Sequence, residues 1–143
     1  MDITKPIKLA YEKAKQRGWD RIYIWVDIHE TVLKPTYKSN SDYVFYDDAK
    51  EALQYLSKIE FVKLGLYTCT KKEEIGRYLD FFKSNDIIFE HVNVNSEVQT
   101  TEYGEFNGDK PYFNVLIEDK AGFEPEIDWK VVIKFFKDKY GEL

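Results

Sequence analysis

The sequence holds a single cysteine, Cys69, which excludes an intramolecular disulfide and any zinc site built on several thiolates. A chain so poor in cysteine is expected in a reducing compartment, the cytoplasm. Nor does any stretch supply the roughly 18 to 20 apolar residues of a membrane span. Residues 1–20 open Met-Asp-Ile-Thr-Lys-Pro and hold no long apolar run, so neither a signal peptide nor a membrane helix is expected. Basic residues do not predominate: 21 Lys and Arg stand against 26 Asp and Glu, a net charge of −5. That balance argues against the clustered positive surface needed to coat nucleic-acid phosphates. Internal repeats, low-complexity tracts and linkers are absent as well, so the 143 residues are expected to form one domain spanning 1–143.

What the chain does have is the balance of a globular protein, 43% hydrophobic and 33% charged, with aromatics at 17%. Eleven tyrosines and ten phenylalanines exceed what a small core can hold, so some must reach the surface or line a pocket.

Hydrophobic period then divides the chain into alternating elements. Thr4 is placed to cap a leading helix within residues 1–20, with Pro6 in its first turn, Ile7, Ala10, Tyr11 and Ala14 on one face and Gly18 stopping it. Residues 21–26 are β-branched and aromatic on both faces, as in a central parallel strand. Residues 33–46 lack any sustained period and read as a flap-like loop, after which Ala49, Ala52, Leu53 and Leu56 mark a second helix. A second strand is predicted over 61–67. Thr70 and Glu73 then have the spacing of a capping box, opening a third helix through Phe82 to about Asn85. Further strands are expected at 87–94 and 111–117, separated by a polar loop with Gly104 and Gly108, and Asp128 is expected to cap a last helix carrying Val132, Phe135 and Phe136. Strands alternating with helices predict an α/β fold, a three-layer, doubly wound and mostly parallel Rossmann-like sheet without a large cap domain. Ligands bind such sheets outside the carboxyl ends of the strands.

Chemistry-bearing residues recur at those places: Asp27, His29 and Thr31 after the first strand, Thr68 after the second, Lys110 before the last, and Glu118 and Asp119 after it. Carboxylates at Asp27 and Asp119 would make a hard, all-oxygen cradle of the kind that suits Mg2+. Thr68 offers a hydroxyl and Lys110 a cation to phosphate oxygens. Taken singly each has a plainer reading: Asp27 a turn former, Lys110 a solvated lysine, Glu118 and Asp119 an exposed turn, Cys69 a small half-buried residue. Two adjacent acids directly after a buried strand nevertheless repel one another, and a cation relieves that repulsion. His91 has no role beyond a structural one, and the charges of the last helix read as a solvated face.

Residues 22–33, Ile-Tyr-Ile-Trp-Val-Asp-Ile-His-Glu-Thr-Val-Leu, resemble the first motif of the haloacid dehalogenase-like (HAD) superfamily. Leu64-Gly-Leu-Tyr-Thr68 is similar to its second motif, Lys110-Pro111-Tyr112 to its third, and Val115-Leu-Ile-Glu118-Asp119-Lys120-Ala121 to its fourth, nearest to small capless members. The resemblance runs from Ile22 to about Trp129. It implies a nucleophilic Asp27 that takes up phosphorus as an aspartyl-phosphate later hydrolysed by water. It implies Mg2+ on Asp27, on the main-chain carbonyl of His29 and on Asp119, with Glu118 nearby. Thr68, Cys69 and Lys110 would lie on the phosphate.

His29 departs from that pattern, because it stands where family phosphatases carry the acid–base aspartate. An imidazole with a pKa near 6.5 can carry out both proton transfers near neutral pH, yet a cationic ring beside Mg2+ is disfavoured. General acid–base help is worth roughly 10²- to 10⁴-fold. Three roles stay open for His29: phosphate contact, acid–base group, or remnant in a silent site.

The expected activity is therefore Mg2+-dependent hydrolysis of a phosphomonoester, slow or altered, on a small phosphorylated substrate or a phosphorylated macromolecule. The alternative is a binding or regulatory domain that keeps metal and phosphate affinity without turnover. A receiver-like domain would need an early acid pair and a later phospho-acceptor, an order this chain lacks. Tyr37, Tyr43 and Tyr46 are placed to shape the rim of an open site. Oligomeric state and substrate identity are not legible in the sequence.

Overall fold

A computed structural model describes residues 2–35, 43–106 and 110–143. In chain order it contains α1 (Thr4–Arg17), β1 (Ile22–Val26), α2 (Ala49–Ser57), β2 (Val62–Leu66), α3 (Lys72–Ser84), β3 (His91–Val92), β4 (Thr100–Thr101), β5 (Gly104–Glu105), β6 (Val115–Ile117) and α4 (Pro125–Tyr140), with one 3-10 turn at Asp119–Ala121. The middle of the flap, including Tyr37, and Gly108 lie outside the described residues.

Four strands form a wholly parallel sheet in the order β3-β2-β1-β6. The chain moves outward from β1 through β2 to β3 and then returns to the other side of β1 for β6. This reversal makes the β1–β6 junction the switch point of an α/β sheet, where a crevice opens at the carboxyl ends. The fold is thus the expected Rossmann-like α/β class, without a large cap among the described residues. No helix among those residues is long and apolar enough to cross a membrane.

The side-chain period of two sorts β1 onto two faces. Ile22, Ile24 and Val26 join Val62, Leu64 and Leu66 of β2 and Val115 and Ile117 of β6 in one apolar cluster with the inner faces of α1, α2 and α4 and with Tyr78 and Phe82 of α3. Tyr23 and Trp25 face the other way. They meet His91, Tyr112, Phe113 and Tyr67 in mostly edge-on or tilted ring pairs. The layer on this second face is, among the described residues, irregular chain plus the short β4–β5 hairpin rather than helix, and side chains serve several of its backbone polar groups. Asn95, only 1% exposed, donates to the Tyr112 carbonyl (3.0 Å) and accepts from the N–H groups of Glu97 (3.0 Å) and Val98 (3.3 Å). Asn114 likewise accepts the Tyr23 N–H at 2.7 Å. Gly65 lies beside Trp25 in the ladder, and a Cβ there would fall 2.5 Å from indole Cε2. The indole fills the space a side chain would need.

Helix ends depart from the sequence reading in three places. Asp2, not Thr4, caps α1, its Oδ1 accepting both the Thr4 N–H (3.0 Å) and the Thr4 hydroxyl (2.6 Å). Thr70 forms no capping box, because its hydroxyl is taken by that of Thr68 at 2.8 Å, and α3 begins without a side-chain cap. Asp128 does serve the start of α4, but from inside the first turn, accepting the Glu124 N–H at 2.8 Å with Pro125 opening the helix. Strand boundaries shrink as well: of 87–94 only His91–Val92 join the ladder, and of 111–117 only Val115–Ile117. In the polar loop β4 and β5 emerge, which no hydrophobic alternation announced.

Candidate active site

Asp27 follows β1, and Glu118 and Asp119 follow β6, so the switch point brings all three carboxylates to one place. Each offers an oxygen within 4.8 Å of the others, and all three residues are half-buried. Asp27 is anchored by its own backbone: its N–H donates to the Ile117 carbonyl (3.1 Å), and its Oδ1 accepts the Ile28 N–H (2.8 Å). The other carboxylate oxygen has no such partner among the described residues. Burial pushes the Asp27 carboxyl above its usual range; the Ile28 N–H opposes this, and the charges of Glu118 and Asp119 push the same way as burial.

Thr31, fully buried, fixes the geometry of Asp119. Its hydroxyl accepts the Asp119 N–H at 3.1 Å and donates to Asp119 Oδ1 at 3.2 Å. Its carbonyl in turn accepts Trp129 Nε1 at 2.7 Å, which ties the site to the core of α4. The 28–33 segment folds tightly between these points, with Val32 and Leu33 N–H groups both on the Ile28 carbonyl and Glu30 at φ +60°.

A cleft of about 540 Å³ opens beside Asp27 and Glu118, lined also by Tyr67, Thr68, Cys69, Asn93 and Lys120. Asp119 opens on a neighbouring recess with Glu30 and Tyr46. Thr68 is held by Asn93, whose amide accepts the Thr68 N–H and donates to the Thr68 carbonyl, both at 2.8 Å, from a left-handed backbone at φ +57°. Cys69 is exposed at the mouth of this cleft.

Two candidates lie elsewhere. Lys110 is exposed and does not line the cleft. It lies two residues before Tyr112, whose ring packs on Trp19 and Tyr23 at the amino end of β1. The reason is directional: a residue shortly before a parallel strand sits at its amino end, whereas the carboxylates follow the carboxyl ends. Lys120 supplies the cleft's cation instead. His29 is exposed and directed to α3, its Nε2 3.4 Å from the Tyr78 hydroxyl and its ring edge-on to Tyr78 at 5.5 Å. Its imidazole lines neither the cleft nor the three-carboxylate group.

Sequence reasoning passed over Asn93 and Lys120. Both were reachable by the rule that found Thr68, since each directly follows a strand end or its acid pair; Asn93 was hidden because the expected strand 87–94 runs two residues past the carboxyl end of β3. Tyr78 and Trp129 carried no such signal, as they read as ordinary core residues of helices.

In chemical terms the site combines three hard oxygen donors, a hydroxyl, an amide and a lysine. That donor set fits a small hard dication such as Mg2+, which takes one or two carboxylates and completes its shell with water and phosphate oxygens. No protein-family model and no curated protein matches the chain. A conserved protein from Bacteroides thetaiotaomicron of known structure is similar in fold, with a TM-score of 0.63 and 20% identity over 83% of this chain and 92% of that one. At that identity the likeness concerns the fold alone.

Proposed function

We propose that the protein is a Mg2+-dependent phosphohydrolase of HAD type, acting on a phosphomonoester through Asp27. The observation that carries this reading is the meeting of three carboxylates within 4.8 Å at the sheet's switch point, beside a cleft that also presents Thr68 and Lys120. Asp27, Asp119 and Glu118 would hold the ion, which when bound neutralises phosphate charge and polarises the P–O bonds.

This chain's residues would divide the work as follows. The Asp27 oxygen not held by Ile28 attacks phosphorus, forming the Asp27–phosphorus bond as the ester P–O bond breaks and the leaving alkoxide takes a proton. Water then attacks the aspartyl-phosphate, losing a proton and releasing inorganic phosphate and free Asp27. Thr68, oriented by Asn93, and Lys120 would bind the phosphoryl oxygens. The proton donor and acceptor is His29, which must swing from Tyr78 toward the cleft. His29 is an exposed side chain able to change rotamer without disturbing the core, and the buried Tyr78 stays in place.

Incubation with Mg2+ and a chromogenic phosphate ester tests this. Turnover that vanishes in Asp27→Asn and on chelation is expected; turnover that survives Asp27→Asn would refute it. The open cleft suits a bulky or macromolecular phosphoester.

One observation favours a second reading, a binding domain without turnover: the imidazole that replaces the usual acid–base aspartate points to Tyr78 rather than the carboxylates. Calorimetry with Mg2+ and vanadate distinguishes the two, since tight binding without hydrolysis across a substrate panel supports the second.

A further inference from the structure

At the opposite end of the sheet, under the β4–β5 hairpin, lies a larger cavity of about 630 Å³ that the carboxylate site does not use. It is within the size range of small-molecule pockets. Its walls are aromatic, with Trp19, Tyr23, Tyr103 and Tyr112 among them. Its charged lining is acid-rich: Asp20, Glu97 and Glu102 face a single guanidinium, that of Arg21. Arg21 is already committed, through Nε to Asp20 at 3.0 Å and Nη1 to Glu97 at 3.1 Å. Glu97 also accepts from the Tyr23 hydroxyl at 3.1 Å and meets His91 Nε2 at 3.1 Å, so its carboxylate is fixed in place. Glu102, on the hairpin turn, has no ion-pair partner among the described residues.

The rim already shows what such a surface holds. The guanidinium carbon of Arg17 lies 3.8 Å from the Tyr103 ring centre and 5.1 Å from that of Trp19, and Arg17 is paired with no carboxylate among the described residues. The attraction is that of a cation for the negative face of an aromatic ring. We infer that this cavity is a binding site for a small alkylguanidinium, stacked on Tyr103 and Trp19 in the place the Arg17 side chain takes, with Glu102 the lining carboxylate left uncommitted among the described residues. The charge pattern argues against an anion, and a merely apolar ligand would do nothing for the unpaired Glu102.

Butylguanidinium and its uncharged isostere butylurea distinguish charge from shape, with the full chain followed by two-dimensional NMR at the Trp19 indole N–H and the amides of 97–103. Saturable shifts with butylguanidinium and none with butylurea are expected. Tyr103→Ala should weaken binding about tenfold, and Glu102→Gln, on an exposed turn, should weaken it several-fold without touching the hairpin's packing. Arg17→Gln should tighten it, because the competing side chain is gone. Asp27→Asn should leave it unchanged, which separates this site from the proposed active site. Equal shifts with butylurea, no saturable shift with either compound, or weaker binding in Arg17→Gln would overturn the proposal.

Discussion

The two faces of β1 are built on different principles. On one, Ile22, Ile24 and Val26 meet aliphatic and aromatic side chains from four helices, in an arrangement that needs only volume and dryness. On the other, Tyr23 and Trp25 meet rings, with the Tyr23 hydroxyl and His91 tied to Glu97 and the Tyr112 hydroxyl tied to Asn114, under a layer with little regular structure. The first face tolerates exchange between apolar residues of similar volume, while the second depends on particular partners in particular places. Trp25 marks the difference: it is fully buried, and its Nε1 finds no hydrogen-bond partner among the described residues.

The largest expected effect belongs to the helix face. Phe82, fully buried against Phe45, Phe81 and Phe89, truncated to alanine should cost about 3–5 kcal/mol, read as a shift in urea midpoint at unchanged slope. A loss below about 1 kcal/mol would mean that the helix layer is not the main source of stability.

Next comes Gly65→Ala on the opposite face. The new methyl would sit 2.5 Å from a ring with no exposed side to retreat to, at a cost of about 1–3 kcal/mol. Trp25→Leu in the same chain should recover part of that loss. Strict additivity in the double-mutant cycle would show that the two residues do not meet.

The carboxyl end of the sheet, where both faces stop, should behave in the reverse sense. Asp27→Asn removes a half-buried charge from beside Glu118 and Asp119, so the metal-free protein should melt a few degrees higher than wild type. Wild type should in turn gain stability on adding Mg2+, and the variant should not. A site whose stability cost is relieved by its ligand is what separates a metal centre from an ordinary acidic turn.

The smallest effect concerns Glu97. Burial pushes its carboxyl up, but the hydrogen bonds from Tyr23 and His91 and the charge of Arg21 outweigh this and hold it below the usual range. A carboxyl lowered on folding stabilises the protein above its unfolded pKa, about 4.3, and that contribution is lost as pH falls through the lower folded value. Glu97→Gln should therefore cost no more than about 1 kcal/mol at neutral pH, remove part of the acid-side loss, and raise hydrogen exchange in 93–106. Unchanged exchange there would mean that Asn95 alone secures the second face.

Residues 21–26 read as a buried central strand because β-branched and aromatic residues without alternation require cover on both sides, and β1 is buried throughout. The parallel α/β class followed from strands alternating with helical periods, since short connections cannot join parallel strands. The strand-end rule then identified Asp27, Thr68, Glu118 and Asp119 from chain order alone. Those properties are local or topological, and sequence determined them.

Tertiary structure decided the rest. Which capping hydroxyl is free depends on its neighbours in space, so Thr70 was claimed by Thr68 and Asp2 displaced Thr4. Whether a lysine reaches the carboxylates depends on which end of a strand it occupies, so Lys120 stands where Lys110 was expected. Where an imidazole points depends on the helix opposite, and Tyr78 draws His29 aside. Period and composition report a residue's own burial and conformation; they carry no information about which distant group will compete for its hydrogen bond.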